Sequence, residues 1–185
     1  LPGTGKTFFA QCLSGELNRP LVILNLAFLQ AKENPIQELN NIFEYLNNTN
    51  SKQLILIDEI EKMVGTGEDP LTGRLMTILS DLYSSAGEYK KLDVLVLATA
   101  NNLNSILDNQ PALLRRGRFD ELFFQNTPRT DEVEEYFNLY AKKYKLETAL
   151  EMYGATQLIK DIEKEYEEIN PQSKNFIYTP SEIAT

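Results

Sequence analysis

The chain has 185 residues, 42% of them hydrophobic and 24% charged, a composition typical of a globular domain and not of a disordered segment. Its formal net charge of -9 argues against binding to nucleic acid or to an anionic membrane through bulk electrostatic attraction. Because it contains no histidine and a single cysteine, Cys12, an internal disulfide, the common zinc sites and Ser-His-Asp catalysis are excluded for this chain.

The first residues, LPGTGKTFFA, contain most of a phosphate-binding P-loop, whose pattern is G-x-x-x-x-G-K-[ST]. The first glycine of that pattern, and the strand that precedes such a loop, would lie before Leu1. At the other end, YTPSEIAT opens a helix, with Thr179 as N-cap, Pro180 at the first helical position and Glu182 completing a capping box. We therefore expect the chain to be truncated at both ends.

The spacing of apolar residues predicts helices and strands that alternate along the first part of the chain. We expect the first helix to bury one stripe, in which Cys12 is a small buried residue of a reducing compartment; the stripe consists of Phe8, Phe9, Cys12, Leu13 and Leu17. Strands are predicted at 21–26, 53–59, 93–101 and 121–125, and helices at 34–47 and 71–82. This alternation indicates an α/β fold, a parallel sheet covered by helices on both faces, with ligands at the carboxyl ends of its strands.

From about Pro128 the pattern becomes helical, and we place a domain boundary near Thr127, which divides the chain into 1–127 and 128–185. Two apolar stripes are predicted in the second part: Val133, Tyr136, Phe137, Tyr140 and Tyr144, followed by Leu158, Ile159, Ile162, Tyr166 and Ile169.

The P-loop is the most specific chemical signal in the sequence. Its glycines let backbone N–H groups approach phosphates, Lys6 reaches the β- and γ-phosphates, and Thr7 offers a hydroxyl to Mg²⁺. The alternative interpretation is a glycine-rich turn. The residues predicted to bind the nucleotide are Pro2, Gly3, Thr4, Gly5, Lys6 and Thr7.

Two acids end the second apolar strand, where a P-loop protein needs them. Asp58 is predicted to hold Mg²⁺ together with Thr7, and Glu59 to orient and deprotonate the attacking water. An acid pair after a strand is, by itself, typical of a solvated loop. Asn101, after the third strand, is a candidate for positioning the γ-phosphate or the water, although NN is also common in turns.

A cluster of arginines stands out in this acidic chain, within PALLRRGRFDE. Arg115, Arg116 and Arg118 suit the γ-phosphate charge of the same subunit or of a neighbouring one, and the alternative is a surface salt-bridge cluster.

In their order, PGTGKT, LILIDE, ATAN and LLRRGRFD resemble the AAA clade of the AAA+ ATPases, whose typical strings are GPPGTGKT, an apolar run with DE, a strand ending in ATN, and LLRPGRFD. The resemblance spans Leu1 to about Pro128. It implies a P-loop NTPase core with a small C-terminal helical lid, ATP and Mg²⁺ as cofactors, and assembly into a homo-oligomeric ring, usually a hexamer. Within the clade, ATANN and LLRRGRFDELFF most resemble the small AAA proteins of cyanobacteria and plastids, which implies the cytoplasm or the plastid stroma.

The resemblance also assigns roles by position. Gly3 to Thr7 match the phosphate loop, Asp58 and Glu59 the acidic strand end, and Asn101 the polar sensor. Arg115 and Arg118 match two arginine fingers that act on the adjacent subunit, while Arg116 occupies the place usually held by proline. The position of the aromatic pore loop falls on Ala31–Lys32–Glu33, which contains no aromatic residue, so threading of a polypeptide through a pore is not expected from it.

These observations predict an ATPase that hydrolyses ATP at the subunit interfaces of a ring and remodels a protein partner. One alternative is a nucleotide-gated assembly scaffold with little turnover, and another is the AAA module of an ATP-dependent protease. A nucleic-acid motor is disfavoured by the acidity of the chain. No run of apolar residues approaches the ~20 that a membrane span needs.

Overall fold

The structure, a computed structural model, describes residues 3–49, 52–63, 69–84, 87–89, 92–169 and 179–180. The chain divides into two compact units, one formed by Lys6–Phe123 and the other by Leu1–Gly5 together with Phe124–Thr185. Each unit has its own secondary-structure elements and its own hydrophobic contacts. The predictions made for Pro2 and Glu182 lie outside the described residues.

A parallel sheet forms the centre of the Lys6–Phe123 unit. Its strands are β1 (Leu21–Leu24), β2 (Gln53–Ile57) and β3 (Val94–Ala98), in the order β1-β2-β3. In this register Ile57 pairs with Leu24 on one side and with Ala98 on the other. Every residue of β2 is buried, because helices cover both faces of the sheet. The predicted α/β architecture is confirmed.

Among its described residues this unit has the helices α1 (Lys6–Glu16), α2 (Leu26–Gln30), α3 (Pro35–Thr49), α4 (Pro70–Tyr83) and α5 (Leu103–Asn109). Two short 3-10 turns, Ile60–Lys62 and Pro111–Leu114, follow β2 and α5. The larger core lies on one face of the sheet, and its fully buried members include Leu39, Phe43, Ile55, Ile57, Leu71, Leu75 and Ile78. A smaller cluster on the other face contains Ala10, Leu54 and Leu56.

Side-chain caps fix where two of the helices begin, and one of these caps also ends a strand. Asn25 accepts a hydrogen bond from the backbone N–H of Phe28 at 2.9 Å, so the chain turns into α2 and the strand predicted at 21–26 stops at Leu24. Asp69 caps α4 by accepting from the backbone N–H of Thr72 at 2.8 Å. The helices predicted at 34–47 and 71–82 are confirmed as α3 and α4.

The stripe predicted for the first helix is wrong for every member except Leu13. Cys12 is exposed, and Phe8 and Phe9 are 67% and 51% exposed. The helix instead packs on the sheet through Ala10, which is fully buried, and through Leu13. At roughly 100° per residue, Phe8 lies roughly 160° around the helix from Ala10, so the small residue and not the aromatic one marks the buried face.

The strand predicted at 121–125 is also wrong, because residues 121–125 are irregular. Leu122, Phe123 and Phe124 are all exposed. A strand needs a neighbour for its ladder of backbone hydrogen bonds, and within the described ranges β1, β2 and β3 pair only with one another. Apolar composition alone therefore gave a misleading signal here.

The described part of the second unit contains the helices α6 (Thr130–Tyr144), α7 (Glu147–Tyr153) and α8 (Ala155–Ile169). Val133 and Ile159 form its small core, with Phe137 and Ile162 packed against them. The helical pattern predicted after Pro128 is therefore present, although Tyr144 and Ile169, at the ends of the predicted stripes, are exposed. Within the described ranges, no helix is long and apolar enough to span a bilayer.

Candidate functional site

The phosphate-loop glycines adopt the backbone conformation that the motif requires. Gly3 and Gly5 have φ values of 74° and 88°, in the left-handed region where a residue with a side chain is strained. Thr4, between them, is buried, and its carbonyl accepts a hydrogen bond from Nε2 of Gln125 at 2.6 Å. Lys6 then begins α1.

Thr7, in the first turn of α1, contacts the acid that follows β2. Its hydroxyl lies 3.1 Å from Oδ2 and 3.3 Å from Oδ1 of Asp58, across 51 residues of sequence. A hydroxyl and a carboxylate are the hard oxygen ligands that Mg²⁺ prefers. The structure thus brings together the two side chains that were predicted to hold the metal.

The sheet register explains why the other polar residues meet at the same edge. Since Ile57 pairs with Ala98, the residues that follow, Asp58 and Thr99, emerge side by side from adjacent parallel strands. The buried hydroxyl of Thr99 donates to Oδ1 of Asp58 at 2.5 Å and accepts from the backbone N–H of Glu59 at 2.9 Å. Thr99 therefore fixes both acids to the end of β3.

Glu59 has a left-handed backbone, with φ 52° and ψ 51°, which is uncommon for a residue other than glycine. Its Oε1 accepts a hydrogen bond from Nδ2 of Asn101 at 3.2 Å, and its Oε2 accepts one from Nζ of Lys62. The hydrogen bond from Lys62 to Glu59, and the charge of that carboxylate, raise the pKa of Lys62 above its ordinary value.

Asn101 is held by its backbone as well as by its amide. Its N–H donates to Oε1 of Glu61 at 2.9 Å. Its own Oδ1 is buried and has no hydrogen-bond partner within the described ranges. A buried acceptor without a donor costs about 1–3 kcal/mol of folding free energy, so a ligand that donates a hydrogen bond to this atom would be stabilised. A water beside Glu59 could donate to it.

The residues present fit a nucleotide with Mg²⁺. Within the Lys6–Phe123 unit, Thr7 and Asp58 provide oxygen ligands and Asn101 provides an unused acceptor. The glycines of the phosphate loop, taken by themselves, have the backbone conformation that a phosphate cradle requires. Among the described residues no group of three or more His, Cys, Asp or Glu side chains could hold a metal ion. Mg²⁺ is commonly bound by one or two protein ligands together with phosphate and water oxygens, so Thr7 and Asp58 match its ordinary ligand set.

The predicted arginines do not join this hydrogen-bond network in the described part of the chain. Arg115 and Arg116 are exposed. Arg118 is half-buried, and its guanidinium donates to the carbonyl of Ala112 at 2.6 Å and to Oγ of Ser80 at 3.3 Å. In this structure Arg118 therefore binds atoms of its own unit.

Three residues of the network were not singled out from the sequence: Thr99, Glu61 and Lys62. Thr99 could have been found by aligning the ends of the two strands, because the residue after β3 must face Asp58. Glu61 and Lys62 read as ordinary surface charges, and only the 3-10 turn at Ile60–Lys62 directs them towards Asn101 and Glu59.

Comparisons with known proteins agree with these motifs. The family model described as "ATPase family associated with various cellular activities (AAA)" matches residues 1–127. Over 149 residues the chain is 33% identical to the protein named "Uncharacterized AAA domain-containing protein ycf46" of Guillardia theta, covering 77% of this chain and 28% of that protein. The protein of the same name from Gracilaria tenuistipitata var. liui is 30% identical over 151 residues, or 78% of this chain and 29% of the relative.

A differently named relative is the proteasome-activating nucleotidase of Saccharolobus solfataricus, which is 32% identical over 168 residues, or 85% of this chain and 40% of that protein. The chain thus spans less than half the length of each of these relatives. With the family model matching well over half of its residues, the chain belongs to the AAA family of ATPases.

Proposed function

We propose that this chain is the catalytic module of an ATPase that hydrolyses ATP with Mg²⁺ between the subunits of a ring and thereby remodels a protein partner. The observation that carries the proposal is the contact between the hydroxyl of Thr7 and the carboxylate of Asp58, at 3.1 Å. This contact joins the helix that follows the phosphate loop to the end of β2, as a nucleotide–metal site requires.

Binding is assigned to the phosphate loop. Gly3, Thr4 and Gly5, which follow Pro2 in the loop, offer backbone N–H groups to the phosphates, and Lys6 offers a positive charge to the β- and γ-phosphates. Thr7 and Asp58 hold Mg²⁺, which, when bound, neutralises the charge that develops on the transferred phosphoryl group.

The chemical step is assigned to Glu59 and Asn101. A water that donates one hydrogen bond to Oδ1 of Asn101 and another to Glu59 is oriented by two fixed acceptors, and Glu59 accepts its proton as it attacks the γ-phosphate. The products are ADP and inorganic phosphate. General-base catalysis of this kind contributes about 10²–10⁴-fold to the rate.

Arg115 and Arg118 are proposed to stabilise the transferred charge in the pocket of the adjacent subunit, which requires a homo-oligomer, by family resemblance a hexamer. A protein partner is supported by the name of the proteasome-activating nucleotidase relatives. The cytoplasm or the plastid stroma stays the predicted compartment.

The test is steady-state phosphate release and ATP binding by the full-length protein and two variants. Glu59→Gln should bind ATP with unchanged affinity and lose hydrolysis, because the amide cannot accept the proton of water. Lys6→Ala should lose binding. Turnover by Glu59→Gln at the rate of the unmodified protein would contradict the assignment.

A nucleotide-gated scaffold with little turnover is the second candidate. It is favoured by the triplet Ala31–Lys32–Glu33, which lacks an aromatic residue where ring translocases carry one. ATP-dependent ring assembly without phosphate release would support it. The module of an ATP-dependent protease is the third candidate, and ATP-dependent cleavage of an unfolded protein by the full-length protein would support that one.

A further inference from the structure

Both carboxylate oxygens of Glu59 are held by donors. Oε1 accepts from Asn101, which comes from the segment after β3, and Oε2 accepts from Lys62, which ends the 3-10 turn after β2. The two donors come from different segments and approach different oxygens. Together they define the direction in which the carboxylate points, which a single hydrogen bond would leave free to rotate.

The carboxylate needs such support because little else restrains it. The Glu59 side chain is 39% exposed, and it leaves a backbone that has turned into the left-handed region. Glutamate has three side-chain torsions, whose freedom must be lost if the carboxylate is to face one water. The backbone is fixed by Thr99, but that hydrogen bond ends at the Glu59 nitrogen.

Lys62 can hold the carboxylate without blocking it. Each carboxylate oxygen has two lone-pair sites, so a donor on each oxygen leaves room for a water to donate as well. The Lys62 side chain is 63% exposed, and its ion pair with Glu59 spans three residues, so the lysine stays in contact with solvent. Exposed pairs of this kind stabilise a fold very little, which favours a role in orientation over one in stability.

We infer that Lys62 is a positioning residue for ATP hydrolysis, which holds Oε2 of Glu59 so that the carboxylate keeps the orientation needed to accept the proton of the attacking water. The inference rests on the proposed function, since it concerns the same site. It assigns to Lys62 no contact with the nucleotide. Its loss should therefore affect turnover and leave nucleotide binding nearly unchanged.

The experiment compares kcat and KM for ATP in the full-length protein and three variants. Lys62→Met removes the charge at similar length, and Lys62→Arg keeps a donor for the carboxylate. Lys52→Met is the matched control, because Lys52 is an exposed lysine of the same unit whose ion pair, with Asp93, lies outside the site. Thermal unfolding of each variant monitors the fold.

Lys62→Met should lower kcat roughly 10-fold, the loss expected when a supporting partner of a site residue is removed. KM for ATP should change by less than about twofold, because ground-state binding is not involved. Lys62→Arg should recover most of the lost turnover, and Lys52→Met should match the unmodified protein.

Several results would overturn the inference. One is an unchanged or raised kcat in Lys62→Met, and another is a failure of Lys62→Arg to recover turnover. A third is a fall in kcat of Lys62→Met that is accompanied by a higher KM for ATP and a lower melting temperature. Absence of ATP hydrolysis in the unmodified protein is a different result, which would overturn the proposed function itself.

Discussion

Thr99 donates a hydrogen bond to Oδ1 of Asp58 at 2.5 Å, although 41 residues separate the two in sequence. The same hydroxyl accepts from the backbone N–H of Glu59. The side chain of Thr99, directly after β3, thereby sets the position of both acids that follow β2.

Thr99→Val should therefore impair the site while keeping the shape of the side chain. The N–H of Glu59 loses its acceptor, which should cost about 1–3 kcal/mol of unfolding free energy, and kcat should fall roughly 10- to 100-fold as the acids lose their support. Thr99→Ser should retain activity. The measurements are phosphate release and chemical denaturation, with Thr77→Val, at an exposed threonine of α4, as the control. Full activity in Thr99→Val would contradict the role given to the hydroxyl.

A mixing experiment tests whether Arg115 acts in trans. Arg115 is exposed, as an arginine that serves a neighbouring subunit should be. Arg115→Ala and Glu59→Gln should each be inactive alone. An equal mixture should recover about one quarter of the interfaces, because an intact pocket must then meet an intact arginine in the next subunit. If the mixture stays inactive after subunits have exchanged, the arginine does not act across an interface.

Arg118→Ala should behave differently from Arg115→Ala in thermal unfolding. Its guanidinium holds the carbonyl of Ala112 and the hydroxyl of Ser80 within its own unit, and hydrogen bonds to a charged group are worth about 1.5–3 kcal/mol. We expect a lower melting temperature for Arg118→Ala, whereas Arg116→Ala, at an exposed arginine of the same loop, should melt like the unmodified protein. Equal melting temperatures would show that Arg118 has no bracing role.

In the second unit, the hydrogen bonds of Asp161 can be tested through the pH dependence of stability. Tyr153 donates to Asp161 at 2.6 Å and Gln157 donates to it at 2.8 Å, and these hydrogen bonds, that of Tyr153 foremost, lower the pKa of Asp161. A carboxyl whose pKa is lowered by folding stabilises the fold above its unfolded-state pKa. That contribution is lost as the pH falls through the folded-state value.

Tyr153→Phe should raise the pKa of Asp161 towards its ordinary value, as measured by NMR titration of the carboxyl carbon. Any difference in melting temperature between this variant and the unmodified protein should be present at pH 7 and should vanish once Asp161 is protonated in both. Tyr45→Phe, at an exposed tyrosine, is the control. An unmoved titration of Asp161 would refute the assigned cause.

Long periodic segments were the predictable part of the fold. The apolar faces of α3 and α4 and the continuous apolar run of β2 identified these elements, because their burial leaves a regular pattern. Short capped helices left no such pattern. Asn25 and Asn102 each cap a helix of five to seven residues, and the sequence around them is equally compatible with a strand end or a turn.

The residues of the candidate site that belong to the sequence motifs could be predicted from the order of those motifs. Asp58, Glu59 and Asn101 were singled out, and in the structure the amide of Asn101 donates a hydrogen bond to Glu59. Their roles in hydrolysis stay predictions. What sequence reasoning could not reach were contacts set by register and by backbone direction, such as those of Thr99 and Lys62.

The left-handed backbone of Glu59 carries a consequence for how this sequence can vary. A glycine there would relieve about 1 kcal/mol of backbone strain, so a chain selected only for thermal stability would favour it. It would also have no carboxylate. Glutamate at this position therefore lowers stability in exchange for a carboxylate at the site. If random mutants are selected for thermal stability alone, substitutions of residue 59 by glycine should recur among them, and those variants should be inactive.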